Sequence, residues 1–269
     1  MELQTTFIDQ LTILAKDDPR VRAVWLAGSF GKGIADQFSD VDAHLLLTET
    51  ALEDFRQGVR AWLEQIRPLV LFRLMFDGQM VNALTVDGLR LDLWLHTGDA
   101  ADVPQGATRV LWQQEDVLRW IPAPSPQLTR DEVTRQLEWL IPEFWRCIAM
   151  LPVVWGRGER IVGVTGAMVE IQVLTDVFIA GAGVRNDRGA KARNDFLPAD
   201  LRAAVESAIY LPELTDDALV QLHLRLARLM QQHGPILCAR WQIEYPQQIE
   251  DTALNYVRQF VDDVPLKSA

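Results

Sequence analysis

The chain has 269 residues, with 26 Lys and Arg against 37 Asp and Glu for a formal charge of −11, and 49% of its residues are apolar. That composition excludes disordered, collagen-like and coiled-coil chains, and acidity in both halves excludes a surface built to hold nucleic acid. The two cysteines, Cys147 and Cys238, stand far apart without CxxC or Cys/His spacing, which removes a disulfide framework and a zinc finger.

The opening Met1–Pro19 has no basic stretch followed by an apolar block, so no secretory signal is read and a reducing cytoplasm is the expected compartment. Leu3 to Lys16 repeats apolar residues at helical spacing. Val21 to Ala27 and Val41 to Leu47 are short apolar runs that read as strands, with a glycine-rich loop between them. Ala51 to Ile66 returns to helical spacing. Leu69–Phe76, Met80–Val86 and Leu89–His96 then read as three strands broken by Asp77-Gly78 and Asp87-Gly88, strong hairpin signals. The first half is therefore α+β, with an antiparallel or mixed sheet.

Three prolines within Ile121–Gln127 disfavour both helix and ladder, which places a domain boundary there and divides the chain into 1–125 and 126–269. Beyond it the pattern is helical: Thr129–Leu151, opening on a Thr129/Glu132 capping-box spacing, then Glu159–Ala180, Asp200–Ala208, Asp216–His233 and Ile249–Val261. Five helices make an all-α bundle. The apolar stretch Ile161–Val184 is interrupted by Glu170, Gln172 and Asp176, so it reads as a buried amphipathic helix and no membrane contact is expected. The loop Arg185–Arg193 carries four basic residues, too few in an acidic chain to argue for nucleic acid.

The chemistry is concentrated between Leu26 and Leu47. Gly28-Ser29 closes the first strand and Gly31 and Gly33 follow. Glycines there let backbone N–H groups approach an anion at a helix start, which suits a triphosphate. Lys32 stands where it can reach a terminal phosphate. Asp40 and Asp42 flank Val41 at the start of the second strand, and the period of two puts both carboxylates on one face. Asp92, between apolar Leu91 and Leu93, supplies a third carboxylate if its strand lies beside theirs. Three hard oxygen donors suit Mg²⁺, and a pair of such ions stabilises the attacking and leaving oxygens of a phosphoryl displacement.

The string Gly28-Ser29-x-Gly31-x-Gly33, followed by Ser39-Asp40-x-Asp42 and a later acidic strand residue, resembles the polymerase-β-type nucleotidyltransferase superfamily. With the helical second half it resembles the antibiotic nucleotidyltransferases of the lincosamide and aminoglycoside kind, most closely the lincosamide type. The resemblance implies a nucleotidyltransferase domain with a mixed sheet and flanking helices, then a helical domain for acceptor binding and homodimerisation. It implies a nucleotide site at Gly28, Ser29, Lys32 and Ser39, metal ligation by Asp40, Asp42 and Asp92, and Asp92 close to the acceptor hydroxyl. The expected reaction is transfer of AMP from ATP to a hydroxyl of a small-molecule drug, with release of pyrophosphate. His44, two residues beyond Asp42 on the same face, Trp94, and Glu170 in its apolar stretch are the candidate acceptor contacts. Two other readings stay open: a nucleotidyltransferase that modifies a protein, and a nucleotide-binding module without turnover.

Overall fold

In a computed structural model, residues 1–188 and 193–261 are described, and the chain divides into two compact units, Met1–Pro124 and Ser125–Ala269.

The first unit is built on six strands: β1 (Val21–Leu26), β2 (Val41–Leu47), β3 (Leu69–Met75), β4 (Met80–Thr85), β5 (Arg90–Thr97) and β7 (Arg109–Gln113), in the order β3-β4-β5-β2-β1-β7. Only β2 and β5 run parallel, so the sheet is mixed, and their register sets Asp42 opposite Asp92. Alternation then sorts the side chains. Val41, Ala43, Leu45 and Leu47 of β2 and Leu91, Leu93 and Leu95 of β5 face α1 (Glu2–Asp17) and α3 (Leu52–Glu64), which bury Phe7, Leu11, Phe55 and Val59 against them. The opposite face keeps Asp42, His44, Asp92 and Trp94, all half-buried. Near β1 this face is closed by a small core of Trp25, Leu46, Val103, Val117 and Leu118.

That second core comes from a feature the sequence did not announce. β6 (Ala101–Pro104) and β8 (Leu118–Ile121) form a two-stranded parallel sheet, and β7 extends the main one, where the sequence reading placed no strand. Each has four or five residues. Strands that short are stabilised by the partner they meet in the fold and leave little periodicity of their own.

The second unit contains α4 (Arg130–Ile148), α5 (Leu151–Arg157), α6 (Arg160–Gly181), α7 (Ala199–Ile209), α8 (Asp216–Arg240) and α9 (Gln247–Val257), six helices among the described residues where five were expected. The capping box at α4 forms as predicted, Thr129 Oγ1 accepting from the Glu132 N–H and the Glu132 carboxylate accepting from the Thr129 N–H. The extra helix, α5, carries Pro152 in its first turn, which the fixed φ of proline suits, and stops at Gly158 in the left-handed region (φ +66°). α8 runs through Gly234-Pro235, where a stop was expected, because Leu237 and Cys238 are buried in the core beyond it. The expectation of an amphipathic helix over α6 is corrected as well. α6 is apolar nearly all round, with Ile161 and Met168 exposed and Leu174 and Val177 buried, and by length and composition it is apolar enough to cross a membrane. In this fold it packs against α4 and α8. Of the basic loop, Arg185 pairs with Glu132 (2.6 Å), Arg193 with Asp176 (2.5 Å) and Arg188 with Asp195, and Lys191 lies outside the described residues.

Candidate active site

Asp40 is the last residue before β2, Asp42 lies in its first turn of pleat, and Asp92 sits in register with Asp42 on the neighbouring parallel strand. Their carboxylates bring one oxygen each within 4.8 Å of one another. Three anionic groups so close repel one another unless a cation lies between them, and the all-oxygen donor set matches a hard divalent ion such as Mg²⁺. Asp92 is fixed from its other side. Asn82 stands opposite it on β4 and donates from Nδ2 to Asp92 Oδ1 at 2.7 Å. Asn82 is not among the residues expected from the motifs, although a lone amide in the apolar run Met80–Leu84 is a usable signal in the sequence.

The glycine-serine turn lies against this cluster. β1 ends at Leu26, the Ala27 N–H donates to the Asp42 carbonyl (2.9 Å), and α2 (Gly28–Gly31) begins at once. Gly28 has φ +56°, and a Cβ there would lie 1.9 Å from Asp42 Oδ2, so only glycine lets the turn sit this close to the carboxylate. Gly31 is closed in by the Ala107 carbonyl, 2.3 Å from where its Cβ would be. Ser29 Oγ is buried and meets no protein partner. An orphaned hydroxyl beside the open N–H groups of a helix start is an arrangement that an incoming phosphate oxygen would satisfy.

The loop from α2 to β2 is held by contacts unseen in the sequence. Buried Gln4 of α1 donates from Nε2 to the Gln37 carbonyl (3.0 Å) and the Ser39 carbonyl (3.3 Å), and Arg90 donates to the Phe38 carbonyl (2.6 Å). Ser39, expected at the nucleotide, has its hydroxyl engaged with Asp36, donating to Oδ1 and accepting from the N–H, both at 3.0 Å. It shapes the loop that delivers Asp40. Lys32 caps α2, its N–H donating to the Gly28 carbonyl (3.1 Å).

Two residues further along the strands, the same face carries a row of stacked rings. Trp25 stacks on His44 (5.2 Å between centroids) and His96 (5.3 Å), His44 lies beside Trp94 (6.3 Å), and Trp94 stacks on exposed Phe76 (5.4 Å). His44 Nδ1 and His96 Nε2 share a hydrogen bond of 2.9 Å. Burial, and then the neighbouring His96, push the His44 imidazole down to about 3, and burial lowers His96 too. His44 is therefore neutral, and its open choices as a proton carrier near neutrality are closed. Stability carries the consequence. The unfolded chain protonates His44 near 6.5 and the folded chain not until about 3, so the stability this burial confers is complete above 6.5 and is lost as pH falls through that window. A His44→Phe variant is expected to remove about 1.4 kcal/mol per pH unit from the slope of unfolding free energy between about pH 6 and 4, measured by urea denaturation. An unchanged slope would contradict the reading.

Glu170, the remaining candidate, lies on α6 in the second unit, 1% exposed, with Oε2 at 2.7 Å from His223 Nδ1. Its carboxylate is committed to that histidine and is not presented to solvent.

Among solved structures, the chain is similar to an aminoglycoside 6-adenyltransferase from Bacillus subtilis (15% identity, 96% of this chain and 97% of that one, TM-score 0.43). It is also similar to a nucleotidyltransferase-like protein from Exiguobacterium sibiricum 255-15 (11% identity, 96% and 88%, TM-score 0.37). No curated protein matches the chain. The family model for streptomycin adenylyltransferase matches residues 1–260, nearly the whole chain. The chain is a nucleotidyltransferase and belongs to the streptomycin adenylyltransferase family.

Proposed function

We propose that the protein transfers AMP from ATP to a hydroxyl of an aminoglycoside of the streptomycin kind and releases pyrophosphate. The observation that carries this reading is the convergence of Asp40, Asp42 and Asp92 within 4.8 Å, beside the Gly28-Ser29 turn. The family supplies the chemical class, and a formal charge of −11 favours a polycationic acceptor over a neutral one.

The residues divide the work by position. The Ser29 hydroxyl and the first N–H groups of α2 hold the β- and γ-phosphates, with Lys32 at the end of the same turn. Asp40, Asp42 and Asp92 would hold Mg²⁺, which would neutralise charge on the triphosphate. Asp92, oriented by Asn82, stands at the acceptor side and takes the proton as the acceptor oxygen bonds to the α-phosphorus and the bond to pyrophosphate breaks. Trp94 and Phe76 offer a flat surface on the same face as the acidic cluster, available to the acceptor. The helical unit selects the acceptor and carries a homodimer contact. Ile161, Val162, Met168 and Val169, exposed on α6, support the latter, and light scattering giving a monomer mass would remove it.

Asn82 acts through Asp92. Asn82→Ala is expected to lower kcat about tenfold with KM for the drug nearly unchanged, and Asn82→Ser to recover part of that loss. A loss confined to KM would place Asn82 in acceptor binding instead. The reaction itself is tested by incubating the protein with Mg²⁺, ATP or GTP, and streptomycin, other aminoglycosides and lincomycin, then reading product masses. An adenylyl adduct on streptomycin is the expected result. Adduct on lincomycin alone would reassign the acceptor class, and adduct on a co-purified protein would replace a drug acceptor with a macromolecular one.

A further inference from the structure

The hairpin that joins β3 to β4 holds an aromatic residue in a strained backbone and leaves its ring largely uncovered. Phe76 and Asp77 at its tip have φ +51° and +52°, a left-handed conformation that Asn and Gly adopt freely and a bulky aromatic residue rarely does. The turn is pinned in that shape. The Gly78 N–H donates to the Met75 carbonyl (3.1 Å), the Leu95 N–H donates to the Gln79 carbonyl (2.8 Å), and Arg56 Nε donates to the Gly78 carbonyl (2.9 Å). Phe76 is 59% exposed, and its contact with Trp94 no more than offsets the backbone cost. Asparagine would make the same turn without that strain, so the fold does not account for a phenyl ring here. Strained residues of this kind collect at ligand sites.

Register sets a cation close by. Asp42, Asp92, Asn82 and Arg73 are cross-strand partners in one row, running from β2 through β5 and β4 to β3, so all four belong to the face that carries the aspartates. Arg73 is exposed and makes no ion pair or hydrogen bond among the described residues. β1 and the Gly28-Ser29 turn lie on the other side of β2, against Asp42, which gives the nucleotide that end of the row. The acceptor is left with Asp92 and with what lies beyond it on β4 and β3. At about 4.8 Å per strand, Arg73 stands about 10 Å from Asp92 between Cα atoms. Trp94 is two residues along β5 from Asp92, about 7 Å, and the Phe76 ring is 5.4 Å beyond the Trp94 ring. A six-membered ring with its reacting hydroxyl on Asp92 spans neither distance. A second ring linked to the first does.

We propose that Phe76 and Arg73 form a subsite for a second, non-reacting ring of the acceptor, a hydroxylated six-membered ring of the sugar kind. The C–H face of that ring lies on the Phe76 ring, and its hydroxyl oxygens accept from the guanidinium of Arg73, whose five N–H groups form a planar fork. The subsite rests on the nucleotidyl transfer proposed above, because the acceptor's place over Asp92 sets these distances. Binding of the remote ring then holds the reacting hydroxyl in position.

The test follows the Trp94 indole in ¹H–¹⁵N correlation spectra of the full-length protein. Methyl α-glucopyranoside is the ring probe, and sorbitol, rich in hydroxyls but without a ring, is the control. The glucoside is expected to move the Trp94 Nε1 resonance saturably, with an apparent Kd on the order of 1–10 mM, and sorbitol to give no saturable shift. Phe76→Asn should abolish the glucoside response while its thermal midpoint stays within about 3 °C of the wild type. Arg73→Met, which keeps the stem and removes the donors, should weaken the response at least about fivefold, and it keeps the test decisive if Phe76→Asn does not fold. Absence of a saturable shift in the wild type, an equal response to sorbitol, or an undiminished response in either variant would overturn the proposal. Product masses keep this inference apart from the reaction it rests on. A protein that adenylylates a drug but does not bind the glucoside retains the reaction and loses the subsite, whereas one that binds the glucoside but modifies no drug retains the subsite and loses the drug acceptor.

Discussion

Asp42→Asn is expected to lower kcat for drug adenylylation by at least about 100-fold while the protein remains folded. Asp42 is half-buried at the start of β2 and shares the acidic cluster with Asp40 and Asp92. Asparagine has nearly the same shape, so packing survives. Removing one of three mutually repelling carboxylates relieves strain in the metal-free protein, so thermal stability without Mg²⁺ should hold or rise slightly. Stability gained while activity is lost separates a functional carboxylate from a structural one, because a structural aspartate would lose both. Near wild-type kcat in a folded Asp42→Asn protein would remove the cluster from the chemistry.

The second large effect is expected at Gly28. In Gly28→Ala the new Cβ would stand 1.9 Å from Asp42 Oδ2 and 2.9 Å from its Cγ, and alanine must hold φ +56°. The backbone part costs about 1–2 kcal/mol. The clash is relieved only if the Asp42 carboxylate swings away, which takes it out of the cluster, so transfer should fall about as far as in Asp42→Asn. Gly33→Ala is the matched comparison. Gly33 has φ +70° but nothing within 4 Å of its Cβ position, so alanine there meets the backbone cost without the clash. Kinetics and denaturation of both variants are expected to show similar losses of stability and very different losses of activity. Equal activities would mean that the close approach of the turn to Asp42 does not matter.

Much of this arrangement is legible before any coordinates. The alternation of acid and apolar residues in Asp40-Val41-Asp42 and Leu91-Asp92-Leu93 already marks one face of each strand as buried and the other as acidic. That β2 and β5 are parallel neighbours, with Asp42 opposite Asp92, is a matter of pairing between distant segments, and one chain's periodicity does not encode it. Tertiary contacts also govern the supporting residues. Gln4 reaches the Ser39 carbonyl across 35 residues, and His96 reaches His44 across 52. The short strands β6 and β8 and helix α5 fall in the same class, being too brief to leave a pattern and fixed by what they pack against. Ser39 shows the converse: its place in the Ser39-Asp40-x-Asp42 string suggested a ligand, while the local turn with Asp36 claims its hydroxyl.

The proposed reaction requires the aspartate cluster to be a divalent metal centre that works with bound nucleotide. Mn²⁺, which takes the same oxygen ligands as Mg²⁺ and is read directly by electron paramagnetic resonance, measures this most simply. Titration of the wild-type protein with Mn²⁺ in the presence of a non-hydrolysable ATP analogue is expected to show bound ion, and the same titration of Asp42→Asn to lose most of it. Equal Mn²⁺ binding by both proteins would contradict metal binding at this cluster.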